Sequence, residues 1–141
     1  MIVLDTNVIS ELMRPAPDAG VKAWVAAQDP LELATTTITI AEIQRGIVRL
    51  PAGHRRKDLE ERFRLFVAEA FPGRLLVFDS EAAYACGEVA AARERKGLNA
   101  DAVDTMIAAI VKTAEAKLAT RNTRDFEECG IAVVNPWRAR A

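Results

Sequence analysis

Cysteine and histidine are nearly missing from this chain. Two cysteines in 141 residues, Cys86 and Cys129, form no disulfide framework and no zinc-ligand spacing, so reduced thiols are the simplest reading. A single histidine, His54, excludes any hydrolase that needs two histidines or a triple-histidine metal. No glycine-rich phosphate loop is present, which removes kinase-like and dinucleotide-binding functions. No apolar run reaches the ~20 residues that span a bilayer. Met1-Ile2-Val3-Leu4 meets Asp5 at once, without the basic start and long apolar stretch of a secretory leader. A cytoplasmic protein with no membrane association is expected. A basic excess is also lacking: 19 basic and 20 acidic side chains give a net charge of −1. Any phosphate-bearing substrate would therefore need local basic clusters or bound cations to offset that balance.

Half the residues are apolar and 28% are charged, the composition of a folded globular chain. Its length fits one domain over residues 1–141. Ile2-Val3-Leu4 is a short apolar run read as a buried strand, followed by a helix to about Arg14. Pro15 and Pro17 break that helix, and Asp18 caps a second one with Val21, Trp24 and Val25 on its apolar face. Leu31 to Thr35 reads as a strand and Ile40 to Leu50 as a helix. Leu59, Phe63, Phe66 and Val67 mark a long amphipathic helix that stops at Pro72-Gly73. Leu75 to Phe78 is a third strand, and Asp79 caps an alanine-rich helix to about Lys96. A helix from Ala102 to Ala114 and strands at Lys117–Thr120 and Ile131–Val134 complete the order. Short strands alternating with helices predict an α/β/α sandwich around a parallel sheet of about five strands.

Parallel sheets bind ligands beyond the carboxyl ends of their strands, so the residues just after each strand carry the functional signal. Asp5 ends the first strand, and Glu42 lies in what reads as the first turn of the helix after the second. Asp104 opens the helix leading into the fourth strand, and Asp125 follows that strand. Hard oxygen donors without histidine or cysteine suit Mg²⁺ or Mn²⁺. Two such ions can clamp the attacking and leaving oxygens of a phosphodiester, with no side-chain nucleophile required. Each acid taken singly is equally well read as a cap. Asp5 could cap the first helix, Thr39 with Glu42 has capping-box spacing, and Asp101–Asp104 and Asn122–Asp125 pair a cap with an acid in the first turn.

Four blocks together resemble a known family. Ile2-Val3-Leu4-Asp5-Thr6-Asn7-Val8-Ile9-Ser10-Glu11 is similar to the opening of PIN-domain ribonucleases, in particular the VapC-type toxins and their FitB-like branch. Thr39-Ile40-Ala41-Glu42-Ile43, Asp104-Thr105-Met106-Ile107-Ala108-Ala109 and Ala119 to Phe126 follow in order, with Asn135-Pro136-Trp137 closing the likeness. The resemblance implies a PIN-like fold and Mg²⁺-dependent endoribonuclease activity, as the toxin of a type II toxin–antitoxin pair. It implies Asp5 and Asp104 as the metal ligands and Glu42 completing the pocket. It further implies a homodimer, and an antitoxin that wraps the toxin, fills the acidic pocket with a basic side chain and carries the operator-DNA contacts. One departure stands out: some relatives have an aspartate where Asn122 lies, so Asp125 supplies the fourth charge here or the site works with three.

Other residues have two readings each. Thr6 could hydrogen-bond a carboxylate or merely begin a helix, and Asn7 is similar. Arg45 and Arg49, four apart on the helix of Glu42, could meet RNA phosphates or form a solvated face. His54-Arg55-Arg56-Lys57 reads as surface charge, Trp24 and Cys86 as core, and Trp137 as a cover for the sheet edge or a dimer contact. A haloacid-dehalogenase-type phosphatase would need a second aspartate at Asn7, and a receiver domain a lysine after the last strand. The alternative from another class is a catalytically silent binding partner that forms a DNA-binding complex with an antitoxin.

Overall fold

The computed structural model describes residues 1–139. Five strands form one sheet in the order β3-β2-β1-β4-β5, every pair parallel. They are β1 (Ile2–Leu4), β2 (Leu33–Thr36), β3 (Leu75–Leu76), β4 (Lys117–Ala119) and β5 (Ala132–Val134). Six helices cover the sheet: α1 (Thr6–Leu12), α2 (Ala19–Ala26), α3 (Thr37–Val48), α4 (His54–Ala70), α5 (Ser80–Arg95) and α6 (Ala102–Thr113). None of them is long and apolar enough to cross a membrane.

The two faces follow from the period of two along each strand. Val3 and Leu118 join Ala34, Val89, Ile107, Ala108 and Val111 in a core under α5 and α6. Their chain neighbours Leu4 and Ala119 point the other way, into a second core with Val8, Ile9, Val21, Ile43 and Phe63 beneath α1 to α4. Because both faces are covered, the central strand β1 reads as an unbroken apolar run.

Helix starts are fixed by side-chain caps. Asp18 accepts from Val21 N–H, Asp79 from Ala82 N–H, and Asp101 from both Val103 and Asp104 N–H. Each satisfies a donor that the first helical turn leaves without a partner.

Three expectations need correction. Leu31 is not in a strand: Asp29 caps a short 3₁₀ turn over Pro30–Glu32, and Leu31 is exposed. Helix α3 begins at Thr37, because Thr36 Oγ1 accepts from Thr39 N–H at 3.0 Å. The Thr39–Glu42 capping box is therefore absent, and Glu42 lies in the second turn instead of the first. Strand β3 stops at Leu76. Its partner β2 ends at Thr36, which the cap of α3 turns away, so Val77 and Phe78 find no ladder.

Candidate active site

The strand order reverses direction around β1. The chain first steps outward to β2 and β3, then returns to place β4 on the other side of β1. Crossovers diverge there and leave a crevice beyond the carboxyl ends of β1 and β4, where α/β sheets bind their ligands. The residues that emerge into it are Asp5 and Thr120.

Asp5 is 4% exposed, an unusual burial for a carboxylate. Its backbone N–H bonds to Ala119 O at 3.0 Å, which extends the β1–β4 ladder by one residue. One carboxylate oxygen accepts from Thr6 N–H at 2.8 Å as the cap of α1. The other accepts from the Thr120 hydroxyl at 2.7 Å. The expected cap is thus real, and it occupies one oxygen while leaving the carboxylate at the rim of the crevice. Burial pushes the Asp5 carboxyl above its ordinary range, the Thr120 and Thr6 bonds oppose that rise, and the charges of Glu42 and Asp125 add to it.

Asp104, in the first turn of α6, is raised to about 7. Burial is the largest cause, followed by the charges of Asp101, Asp125, Asp5 and Glu42. Glu42 and Asp125 thus lie near enough to Asp5 and Asp104 for their charges to act on both carboxyls. Among the described residues no lysine or arginine forms an ion pair with any of the four.

Thr6 begins α1 and also hydrogen-bonds a carboxylate, and Asn7 reaches the end of β4. Thr6 Oγ1 donates to Glu42 Oε1 at 2.7 Å, tying α1 to α3 across the crevice. Asn7 Nδ2 donates to Thr120 Oγ1 at 3.2 Å, and Asn7 Oδ1 accepts from Arg121 N–H at 3.1 Å. Asn122 is exposed; its backbone N–H donates to Thr120 Oγ1 at 3.1 Å, and it heads the short 3₁₀ turn of Thr123–Phe126 that carries Asp125. Arg45 is exposed on α3 and lines neither cleft of the site.

Thr120 is the member of this hydrogen-bond cluster that the sequence reading passed over. It is fully buried, and its one oxygen joins Asp5, Asn7 and the loop of Asn122. The sequence reading counted it as the last residue of the fourth strand, so the search beyond the strand end began after it, whereas β4 stops at Ala119.

Two clefts flank the acids. One, of about 750 Å³, is lined by Arg121, Asn122, Arg124, Asp125, Trp137 and Arg138 among others. The second, of about 520 Å³, runs between α1, α3 and α4 and includes Thr6 and Glu42 in its wall. Among the described residues no three Asp, Glu, His or Cys side chains close around a single ion position. An open basin of hard oxygen donors still fits Mg²⁺, which takes one or two carboxylates and fills its remaining positions with water and substrate phosphate.

Comparison with known proteins identifies the family. The profile of the PIN domain matches residues 2–131. The plasmid stability protein StbB of Pseudomonas syringae pv. tomato is 41% identical over 99% of this chain and 100% of its own length. The VapC ribonuclease Y4jK of Sinorhizobium fredii is 40% identical over 97% of this chain and 98% of its own. The crystal structure of FitAcB from Neisseria gonorrhoeae superposes with a TM-score of 0.92 at 36% identity, covering 99% of this chain and 100% of the other. A structure of FitAB bound to the IR36 DNA fragment gives 0.93 at 35%, over 100% and 99%. With the matching fold, the acids at its switch point and these relatives in hand, the chain belongs to the PIN-domain family.

Proposed function

We propose that this protein is a Mg²⁺-dependent endoribonuclease, the toxin of a type II toxin–antitoxin pair. The observation that carries the reading is the set of acids near the β1–β4 switch point, Asp5, Glu42, Asp104 and Asp125, without an ion pair among the described residues, with Asp104 raised to about 7 by burial and by its neighbours' charge. Such repulsion is relieved when a divalent cation is shared. Relatives named VapC ribonuclease and toxin FitB, at 40% and 36% identity, support the chemistry and the toxin role.

Asp5 and Asp104 are the residues to hold the ion, and Mn²⁺ can replace Mg²⁺ on the same oxygen donors. A bound cation supplies Lewis acidity toward the phosphodiester and its attacking water. The chain's own part is to orient the donors. Thr120 and Thr6 N–H fix the two Asp5 oxygens, and Thr6 Oγ1 aims Glu42 across the crevice. Asp125, exposed on its turn, provides the remaining charge at the substrate side. Asn122 and Asn7 position the loop that carries it.

FitB is seen with FitA and, in FitAB, on DNA. On that basis the partner here is a cognate antitoxin, which brings the operator-DNA contacts to a complex built on a toxin homodimer in the cytoplasm. The test is incubation of end-labelled total RNA with antitoxin-free protein in Mg²⁺ and in EDTA. Discrete cleavage lost in EDTA is expected. Folded protein that binds antitoxin but cuts no RNA with any metal would replace the enzyme by the silent binding partner.

A further inference from the structure

The cleft on the Asp125 side of the acids has a composition that the metal chemistry does not use. Arg121, Arg124 and Arg138 line it against one acid, Asp125, in a chain whose overall charge is −1. Among the described residues none of the three arginines is in an ion pair. The Arg121 guanidinium lies over the Trp137 ring, 5.0 Å from its centroid. Trp137 is itself held by the second core and by an Asn135 side chain that accepts its backbone N–H at 3.0 Å. The result is a guanidinium seated over an aromatic ring that the core holds.

This cleft is bolted to the acid cluster. Arg121 N–H bonds to Asn7 Oδ1 at 3.1 Å and Asn122 N–H to Thr120 Oγ1 at 3.1 Å, so its floor and the Asp5 carboxylate share the same supports. The other cleft differs. Its lining is mostly apolar, and two of its three arginines, Arg14 and Arg62, are paired with Glu11 and Asp58 at 3.3 and 3.1 Å, which leaves Arg55.

We propose that the Arg121–Arg124–Arg138–Trp137 cleft is an RNA subsite, which holds a backbone phosphate and a base of a nucleotide flanking the scissile linkage. The proposal rests on the ribonuclease reading above. Arginine forks match phosphate oxygens two at a time. Bases stack on aromatic rings and on guanidinium planes, with little regard to sequence. A single strand is the ligand whose repeating phosphates reach both the cation-binding acids and the arginines beside them. An acidic peptide offers charge but neither the repeating phosphate nor the flat base.

The test uses Asp5→Asn protein, a roughly 12-nucleotide fluorescein-labelled unstructured RNA, and binding measured across a salt series. Arg121→Gln and Arg124→Gln are compared with Arg64→Gln, a control of equal charge change on an exposed α4 position outside both clefts. Each cleft variant is expected to weaken binding about tenfold and to flatten the slope of log K against log salt by about 0.7. In the active background, KM should rise by about the same factor while kcat stays within about twofold. Among the described residues the Arg124 side chain makes no hydrogen bond or ion pair, so its variant keeps the test informative should Arg121→Gln loosen Trp137. Wild-type cleavage with unchanged slopes in both variants would overturn the subsite alone. Unchanged RNA binding with weakened antitoxin binding would also overturn it, making the cleft a protein dock. Wild-type protein that neither binds nor cuts RNA would overturn the subsite and the ribonuclease reading together.

Discussion

Thr120→Val removes one oxygen and keeps the shape of the side chain. That oxygen donates to Asp5 Oδ2 at 2.7 Å and accepts from Asn122 N–H at 3.1 Å and Asn7 Nδ2 at 3.2 Å, all at a fully buried position. A hydrogen bond to a carboxylate contributes about 1.5–3 kcal/mol. The two stranded donors sit at the rim, where water recovers part of their loss, so a net cost of about 2 kcal/mol follows. For a chain of this length each kcal/mol moves the melting temperature by roughly 3–4 °C, which gives a fall of about 6–8 °C. The same bond holds the Asp5 carboxyl down against burial, so its loss lets that carboxyl rise further. Protonation then removes the ligand at higher pH, and the acidic limb of the RNA-cleavage profile moves upward. Melting curves and pH–rate profiles of Thr120→Val, with Thr120→Ser as the rescue that keeps the hydroxyl, measure both effects. A Thr120→Val protein that melts within about 1 °C of wild type and has a superimposable pH profile would refute the reasoning.

Asp104 gives a pH dependence of defined sign. Its carboxyl is raised from 3.8 to about 7, so between those values the folded protein keeps a proton that the unfolded chain has lost. Metal-free stability therefore falls as pH rises from about 4 to about 7. The unscreened ceiling is about 4 kcal/mol, which solvent around a half-buried group reduces to about 1–2. At pH above that window, Asp104→Asn should melt higher than wild type without metal, and Mg²⁺ should stabilise only wild type. Asp101→Ala deletes the α6 cap at a cost of about 1 kcal/mol, and by removing a neighbouring charge it should shift the acidic limb of activity downward. Arg93 is buried, with Nε donating to Asn99 O at 2.7 Å and Nη1 to Glu127 O. Arg93→Leu strands both carbonyls and should cost about 2–4 kcal/mol in urea unfolding.

Strand and helix identity was legible wherever one local signal acted alone. The Ile2-Val3-Leu4 run, the Asp18, Asp79 and Asp101 caps and the breaks at Pro15 and Pro72 all correspond to observed boundaries. Errors came where two signals competed. Leu31 looked like the start of a strand, yet Asp29-Pro30 begins a 3₁₀ turn. The threonine run at 35–39 has β propensity, but Thr36 was already serving as a cap and set the helix three residues early. Strand length at β3 depended on a partner that ends at Thr36, a non-local fact that no window of sequence contains. Asp5 and Asp125 were singled out because residues just past strand ends in a parallel sheet face the ligand crevice. Thr120 escaped because a buried hydroxyl carries no charge signature, and the arginine–tryptophan cleft because its members, 121 and 137, meet only through the β4–β5 pairing.

The central claim, that the converging acids form the metal site at which RNA is cut, is tested most directly by titrating Mn²⁺ calorimetrically into wild type, Asp5→Asn and Asp104→Asn, and assaying RNA cleavage in the same samples. Metal binding and cleavage are expected to fall together in both variants while the fold, read by circular dichroism, stays intact. A variant that retains wild-type metal affinity and wild-type cleavage would contradict the claim.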